Sequence, residues 1–297
     1  MGSTSIAGVI VTYNPNPWQL EQLLTYLLPQ VDFTVIVDNG SENQRSVRAT
    51  ADRHEAKVFP LSENLGIAAA QNMGIQWAMG RGATHVLLSD QDSIPKRDMV
   101  KKLLACLENN NPETVAAVGP VPVDSRGDGE DEREDALVYS FTTWGPKRRE
   151  IPTSGEVLEV PFVLASGSLL PVAALRAVGP MNESLFIDHV DLAWCLRAVE
   201  MGYRILVCGD ATLRHSLGEN KMVLPGGREV HVQSPARNYY MVRNTLYLMR
   251  APFMPLAWKV GYLPYLTKYL GFYALASIRE KERAKHLLKG LRDGLFR

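Results

Sequence analysis

Asp90-Gln91-Asp92 sets two carboxylates one residue apart, directly behind the apolar run Val86-Leu87-Leu88-Ser89. Successive side chains of a strand alternate faces, so acids at i and i+2 leave a strand end on the same side. Such a pair suits Mg2+ or Mn2+, hard cations that take oxygen ligands and leave positions open for diphosphate oxygens. The ion then offsets charge gathering on a leaving phosphate. Acids in an ordinary surface turn share this spacing; the position behind a buried strand favours the metal reading over that one. His215, between Ala211-Thr-Leu-Arg and Ser216-Leu-Gly218, could complete the metal site, and an imidazole ligand favours Mn2+ over Mg2+.

A second acidic pair lies in Phe186-Ile187-Asp188-His189-Val190-Asp191, at an expected helix start where a spacing of three shares one face. Either Asp188 or Asp191 could serve as a general base; the competing reading makes Asp188 a cap and Asp191 a complement to the helix dipole. His189 reads as a structural neighbour. Asp38 closes Val35-Ile36-Val37, where an acid can accept hydrogen bonds from a nucleotide base or ribose or cap the next helix. Between Asn64 and Gly74 the residues Gly66, Ala68, Ala70 and Gly74 recur with Asn72, as where a helix start approaches something closely, and its backbone amides could face phosphate. It is not a Walker loop, since the Gly-Lys-Ser ending is missing. Finally, Arg237 and Arg243 flank Tyr239 and Tyr240 and precede Asn244, a set able to grip a diphosphate or to line a solvated helix face.

These side chains need a frame, and the apolar pattern supplies one. Runs rich in β-branched residues at Ala7–Val11, Phe33–Val37, Ala56–Phe59 and His85–Leu88 read as buried parallel strands. Pro17–Leu28, with Asn16 as cap, and Ala68–Met79 read as helices between them. The alternation predicts an α/β fold with a doubly wound, mostly parallel sheet and ligands at the strands' carboxyl ends. Thr12-Tyr13-Asn14, Asp38-Asn39-Gly40-Ser41 and Asp90-Gln91-Asp92 then share one rim. Beyond Val115–Val118, the acidic stretch Asp124–Asp135 reads as a solvated loop, Val190–Met201 as a helix and Tyr203–Cys208 as a strand, with His215 in the loop after it. Residues 1–250 are expected to form the catalytic part, divided near 120 into a donor half and an acceptor half. The segment 251–297 forms a C-terminal helical extension. Ala251–Ile278 is apolar and aromatic but broken by prolines and lysines, so it is not expected to span a membrane. Arg279–Arg297 carries seven basic and three acidic residues with leucines at helical spacing, which fits a membrane-surface contact or a packed helical hairpin.

Bulk properties narrow the classes. The chain's 297 residues balance 32 Lys plus Arg against 32 Asp plus Glu, so no overall field recommends a nucleic-acid partner. Three scattered cysteines and an N-terminus without a signal core suggest a reducing cytosolic setting.

In this order, Val11-Thr-Tyr-Asn14, Asp38-Asn-Gly-Ser41, Asn64 through Gly74, Asp90-x-Asp92 and Phe186-Ile-Asp-His-Val-Asp191 resemble the family 2 glycosyltransferases with the A-type fold, over roughly residues 6 to 250. Trp194-Cys-Leu-Arg197 and Arg237-x-Tyr239-Tyr240-x-x-Arg243-Asn244 resemble the bacterial rhamnosyltransferase branch. The resemblance implies an inverting enzyme that moves L-rhamnose from dTDP-L-rhamnose to a surface polysaccharide, on a saccharide or polyprenyl-diphosphate acceptor, with peripheral contact at the inner membrane face. It implies that Thr12, Tyr13, Asn14, Asp38, Asn39, Asn64, Gly66, Asn72 and Asp90 serve the donor nucleotide. Asp90, Asp92 and His215 would hold Mn2+ or Mg2+, and Arg237, Tyr240, Arg243 and Asn244 would meet diphosphate or acceptor. The family's usual Glu-Asp before the helix is replaced here by Asp188-His189, a departure that leaves both Asp188 and Asp191 as candidate bases, with Asp188 preferred. A UDP-sugar is the alternative donor, and an oligomer is compatible with the sequence. A nucleotidyltransferase would need a Gly-rich basic loop that Val11-Thr-Tyr-Asn-Pro-Asn16 lacks, and a non-catalytic membrane adaptor would rest on the C-terminal region alone.

Overall fold

The computed structural model describes residues 3–124, 139–140, 147–148, 151–215, 221–223, 229–276 and 280–296. Apart from Asp124, which ends a strand, the expected acidic loop lies outside the described residues, and so does the side chain of His215. Two compact units emerge: Met1–Ser140 with Lys147–Phe186 and Val190–Ser216, and Phe141–Pro146 with Ile187–His189 and Leu217–Arg297.

The first unit runs β1 (Ile6–Thr12), α1 (Pro17–Leu27), β2 (Phe33–Asp38), α2 (Gln44–Arg53), β3 (Lys57–Pro60), α3 (Ile67–Gly80), β4 (His85–Asp90), β5 (Ser93–Pro95), α4 (Met99–Asn109) and β6 (Val115–Asp124). A short ribbon of β7 (Tyr139–Ser140) and β8 (Lys147–Arg148) follows, then β9 (Val157–Glu159), β10 (Leu169–Pro171), α5 (Val172–Val178), α6 (Val190–Glu200) and β11 (Arg204–His215). The main sheet has the order β3-β2-β1-β4-β10-β6-β11-β5, with β9 on β11. Its first four strands are parallel; β10 is antiparallel to both neighbours, and β6 and β11 are again parallel.

Every residue of β1 is buried, as a strand covered on both faces requires. Ile6 and Ile10 enter a cluster with Leu20, Leu23 and Leu24 of α1 and Leu103 and Leu107 of α4. Val9 points the other way, onto α3, where a Cβ on Gly74 would lie 2.3 Å from Val9 Cγ1. Helices thus cover both faces, the doubly wound arrangement that the alternation predicts. Asn16 caps α1 by accepting from the backbone amides of Trp18 and Gln19. Two features escape the apolar pattern: the short β5, and the extension of β11 past Cys208 to His215. A register shift between Cys208 and Thr212 interrupts that strand, so its periodicity reads as ending there.

The second unit contains the hairpin β12 (Lys221–Val223) and β13 (Glu229–His231), then α7 (Pro235–Arg250), α8 (Leu256–Ala276) and α9 (Lys281–Phe296). Val242, Leu266, Tyr273 and Leu287 form its core. Arg283 of α9 is buried and donates to Gln233 O at 2.6 Å and to Asn238 Oδ1, and the buried Asp293 accepts from Tyr239 Oη at 2.9 Å. Of the helically spaced leucines, Leu287 and Leu291 turn inward, while Leu288 and Leu295 stay exposed. Among the described residues no helix is long and apolar enough to cross a membrane.

Candidate active site

Three strand ends meet in register at the carboxyl edge of the parallel strands. Thr12 of β1 lies beside Asp38 of β2, and Val11 beside Asp90 of β4. This edge is where open α/β sheets hold ligands.

Asp38 is fully buried, and its Oδ1 accepts from Thr12 Oγ1 at 2.9 Å and from the Ser41 hydroxyl. Ser41 Oγ in turn accepts from Asn14 N at 2.8 Å, and Asn14 Oδ1 accepts from Glu42 N at 2.7 Å, which closes the two loops together. The other oxygen, Asp38 Oδ2, is buried without a hydrogen-bond partner. A buried acceptor left unsatisfied costs about 1–3 kcal/mol, so it is a position that a ligand N–H or O–H would complete. The capping alternative fails because α2 begins only at Gln44, with Asn43 at its N-cap position.

Asn39 and Asn64 brace the next loop. Asn39 Nδ2 donates to Asn64 Oδ1 at 3.0 Å, and Asn39 Oδ1 accepts from Leu65 N at 2.9 Å. Gly66 has φ +88°, and a Cβ there would lie 2.7 Å from Phe186 O. Its amide donates to Asn64 Oδ1 at 2.9 Å, and Ile67 N donates to Phe186 O at 2.7 Å. The expectation that this helix start offers its amides to phosphate is corrected for these three residues, whose N–H groups are satisfied by protein acceptors. The close approach expected of the small residues does occur, at Gly66 and Gly74. Asn72 is buried; its Nδ2 donates to Met181 O and Glu183 Oε1, and its Oδ1 accepts from Met181 N. That residue fastens the segment leading to Phe186. Trp194 Nε1 and Arg197 extend the hold by donating to Gly179 O and Pro180 O.

At the metal-suited pair, Asp90 N donates to Ser166 Oγ at 3.0 Å, and Ser166 donates to Ser93 Oγ at 2.7 Å. Gln91, between the two acids, clasps the opposite loop: its Oε1 accepts from Tyr13 N at 2.7 Å and its Nε2 donates to Tyr13 O at 3.2 Å. Tyr13 itself is 47% exposed on the rim. The register of β11 on β5 sets the backbone of His215 opposite Ser93, next to Asp92 in sequence. Among the described residues, no three His, Cys, Asp or Glu side chains gather into a metal cage. Asp90 and Asp92 supply two carboxylates, the kind of oxygen donor that a hard divalent cation takes.

In the second unit, Asp188 is 5% exposed at its side chain, and its carboxylate is gripped by Arg237: Nη2 donates to Oδ1 at 2.8 Å, and Nε lies 3.0 and 3.1 Å from the two oxygens. Asp188 and His189 have φ of +62° and +63°, outside the helical region. The expectation that Asp188 and Asp191 share a helix face is therefore corrected: α6 starts at Val190, and Asp191 alone lies in its first turn. His189 Nε2 is 2.9 Å from Thr245 Oγ1, and burial pushes its imidazole down to about 4, so it is neutral near pH 7. Arg243 packs over Tyr239 and Tyr240, 5.4 and 5.0 Å from their ring centroids, and donates to Asn244 Oδ1 at 2.9 Å. Asn244 is fully buried and donates to Ile187 O and Asp188 O.

Sequence reasoning missed the parts of Gln91, Ser93 and Ser166. Alternation hinted at the first, since a residue between two same-side acids points away from them toward a neighbouring strand end. The serines are joined only by tertiary structure.

A family model described as Glycosyl transferase family 2 matches residues 9–179. The chain is 33% identical over 255 residues to the dTDP-rhamnosyl transferase RfbF of Shigella flexneri, covering 86% of this chain and 83% of the relative. It is 28% identical over 266 residues to the galactofuranosyltransferase GlfT1 of Mycobacterium tuberculosis, covering 84% and 83%. Among solved structures, GalNAc-T7 with UDP, GalNAc and Mn2+ superposes with a TM-score of 0.61 at 13% identity, over 93% of this chain and 58% of that one. S. aureus TarS 1-349 in complex with UDP gives 0.56 at 18% identity, over 98% and 80%.

Proposed function

The chain belongs to glycosyl transferase family 2, a glycosyltransferase with a nucleotide-sugar donor, and on that footing we propose that it transfers L-rhamnose from dTDP-L-rhamnose, with inversion, to a surface polysaccharide or lipid-linked oligosaccharide. The rhamnosyl donor is supported by the likeness to RfbF. The observation that carries nucleotide binding is Asp38 Oδ2, a buried unsatisfied acceptor on the same rim as Asp90 and Asp92. In this reading Oδ2 accepts from the base or ribose, Tyr13 offers an exposed ring on the same rim, and Gln91 holds the Tyr13 loop to the metal-suited pair.

Asp90 and Asp92 would hold Mn2+ or Mg2+, with His215 as a further ligand. The cation supplies charge neutralisation at the diphosphate leaving group. Asp188 takes the proton from the acceptor hydroxyl as that oxygen attacks the anomeric carbon from the face opposite the nucleotide. Arg237 orients the carboxylate through its planar fork.

The acceptor side would meet the inner face of a membrane peripherally. Leu256, Val260 and Leu263 follow one another at helical spacing on α8 and are exposed, as are Leu275 and, on α9, Leu288, Leu295 and Phe296. Exposed apolar residues on α8 and α9, together with the basic residues that α9 carries, suit an anionic interface. The test is incubation with dTDP-L-rhamnose, UDP-sugars, Mn2+ and a bacterial lipid extract. Rhamnosyl transfer that ceases with chelator supports the reading; absence of turnover with every nucleotide sugar refutes it.

A further inference from the structure

Asp188 and His189 are consecutive residues with side chains in the left-handed region. Such a backbone is strained and persists only where its surroundings hold it. The hold comes from one face of α7. Asn244 Nδ2 donates to Ile187 O at 2.7 Å and to Asp188 O at 3.1 Å. Thr245, its chain neighbour, bonds His189 Nε2, and Arg237, seven residues earlier and hence two turns away on the same face, grips the Asp188 carboxylate. Arg243 Nε donates to Asn244 Oδ1 and so fixes which end of the amide faces the two carbonyls. Asn244 is wholly buried, with both polar atoms engaged by protein.

We propose that Asn244 is a positioning residue: it holds the 187–189 backbone in the left-handed turn that aims the Asp188 carboxylate, rather than touching diphosphate or acceptor. The functional half of this inference rests on Asp188 as the base. Its structural half stands alone. Removing the amide lets the turn relax toward ordinary backbone, so the carboxylate is displaced while the donor rim, built from other strands, stays intact.

The test compares wild type with Asn244→Ala in the full chain. Amide exchange in residues 187–190 should quicken by at least about tenfold. Turnover of dTDP-L-rhamnose, read as nucleoside diphosphate release with lipid extract as acceptor, should fall about 100-fold, with the KM for donor and the Kd for dTDP unchanged within about twofold. Asn244→Ser, which keeps a hydroxyl donor, should recover part of both losses and carries the test if the alanine variant does not fold. Unchanged exchange in the folded variant overturns the proposal, as does a raised KM with turnover retained. If wild type turns over no nucleotide sugar, the base reading fails, while the exchange comparison still decides whether Asn244 holds the turn.

Discussion

Replacing Asp38 by Asn tests the donor rim with a change of a single atom. Oδ1 keeps its two incoming hydroxyl bonds from Thr12 and Ser41, so the loops around it stay closed. The buried, unpartnered Oδ2 becomes an NH2 group, which cannot accept from a nucleotide base or ribose. Losing a hydrogen bond to a charged acceptor removes about 1.5–3 kcal/mol, and every 1.4 kcal/mol is tenfold, so nucleotide affinity should fall about 10- to 150-fold. In the unliganded protein the same change exchanges one unpartnered buried polar group for another, so the thermal midpoint should move by no more than a few degrees. The assay is calorimetric titration with dTDP in Mn2+ beside a melting curve. The reasoning is refuted if affinity is unchanged, or if the variant loses stability and affinity together, since that would make Asp38 a structural acid only.

Gly74→Ala should destabilise the first unit by about 1–3 kcal/mol, measured by urea unfolding, because its Cβ would meet Val9 Cγ1 at 2.3 Å in a strand with no room to move. Gln91→Ala should raise the donor KM several-fold and leave the fold intact, because it frees the Tyr13 loop; an unchanged KM would remove Gln91 from the site. Acidification should weaken the protein through His189. Its folded value is depressed to about 4 by burial while the unfolded chain protonates near 6.5, so the unfolded state binds more protons between those values. Stability therefore falls as pH drops from about 6.5 toward 4. His189→Gln should flatten that slope in thermal melts, and an identical slope would contradict the assignment.

Much of the first unit was legible because its physics is local. Apolar, β-branched runs at Ala7–Val11 and Phe33–Val37 read as strands covered on both faces, and the strands run Ile6–Thr12 and Phe33–Asp38; polar clusters directly behind them share a rim once the strands are adjacent and parallel. What the sequence hid was tertiary. Asp188 looked like a helix residue because its spacing to Asp191 is helical, yet it stands in the left-handed region, with its carbonyl accepting from Asn244, 56 residues later. Arg237 and Asn244 looked like ligand-binding groups because arginines and amides suit diphosphates. Their partners, Asp188 and the 187–188 carbonyls, become visible only when α7 is in place. The start of α3 looked open to phosphate because two of its three acceptors are distant in sequence: Asn64 is local to Gly66, but Leu65 donates to Asn39 and Ile67 to the carbonyl of Phe186.

The proposed transfer assigns activation of the acceptor to one carboxylate, Asp188. Rhamnosyl transfer from dTDP-L-rhamnose to a lipid-linked acceptor, measured for wild type and Asp188→Asn alongside dTDP titrations, tests it most directly. Loss of the base should lower turnover by about 10²- to 10⁴-fold with dTDP affinity unchanged. Turnover kept in Asp188→Asn, or lost only together with nucleotide affinity, would contradict it.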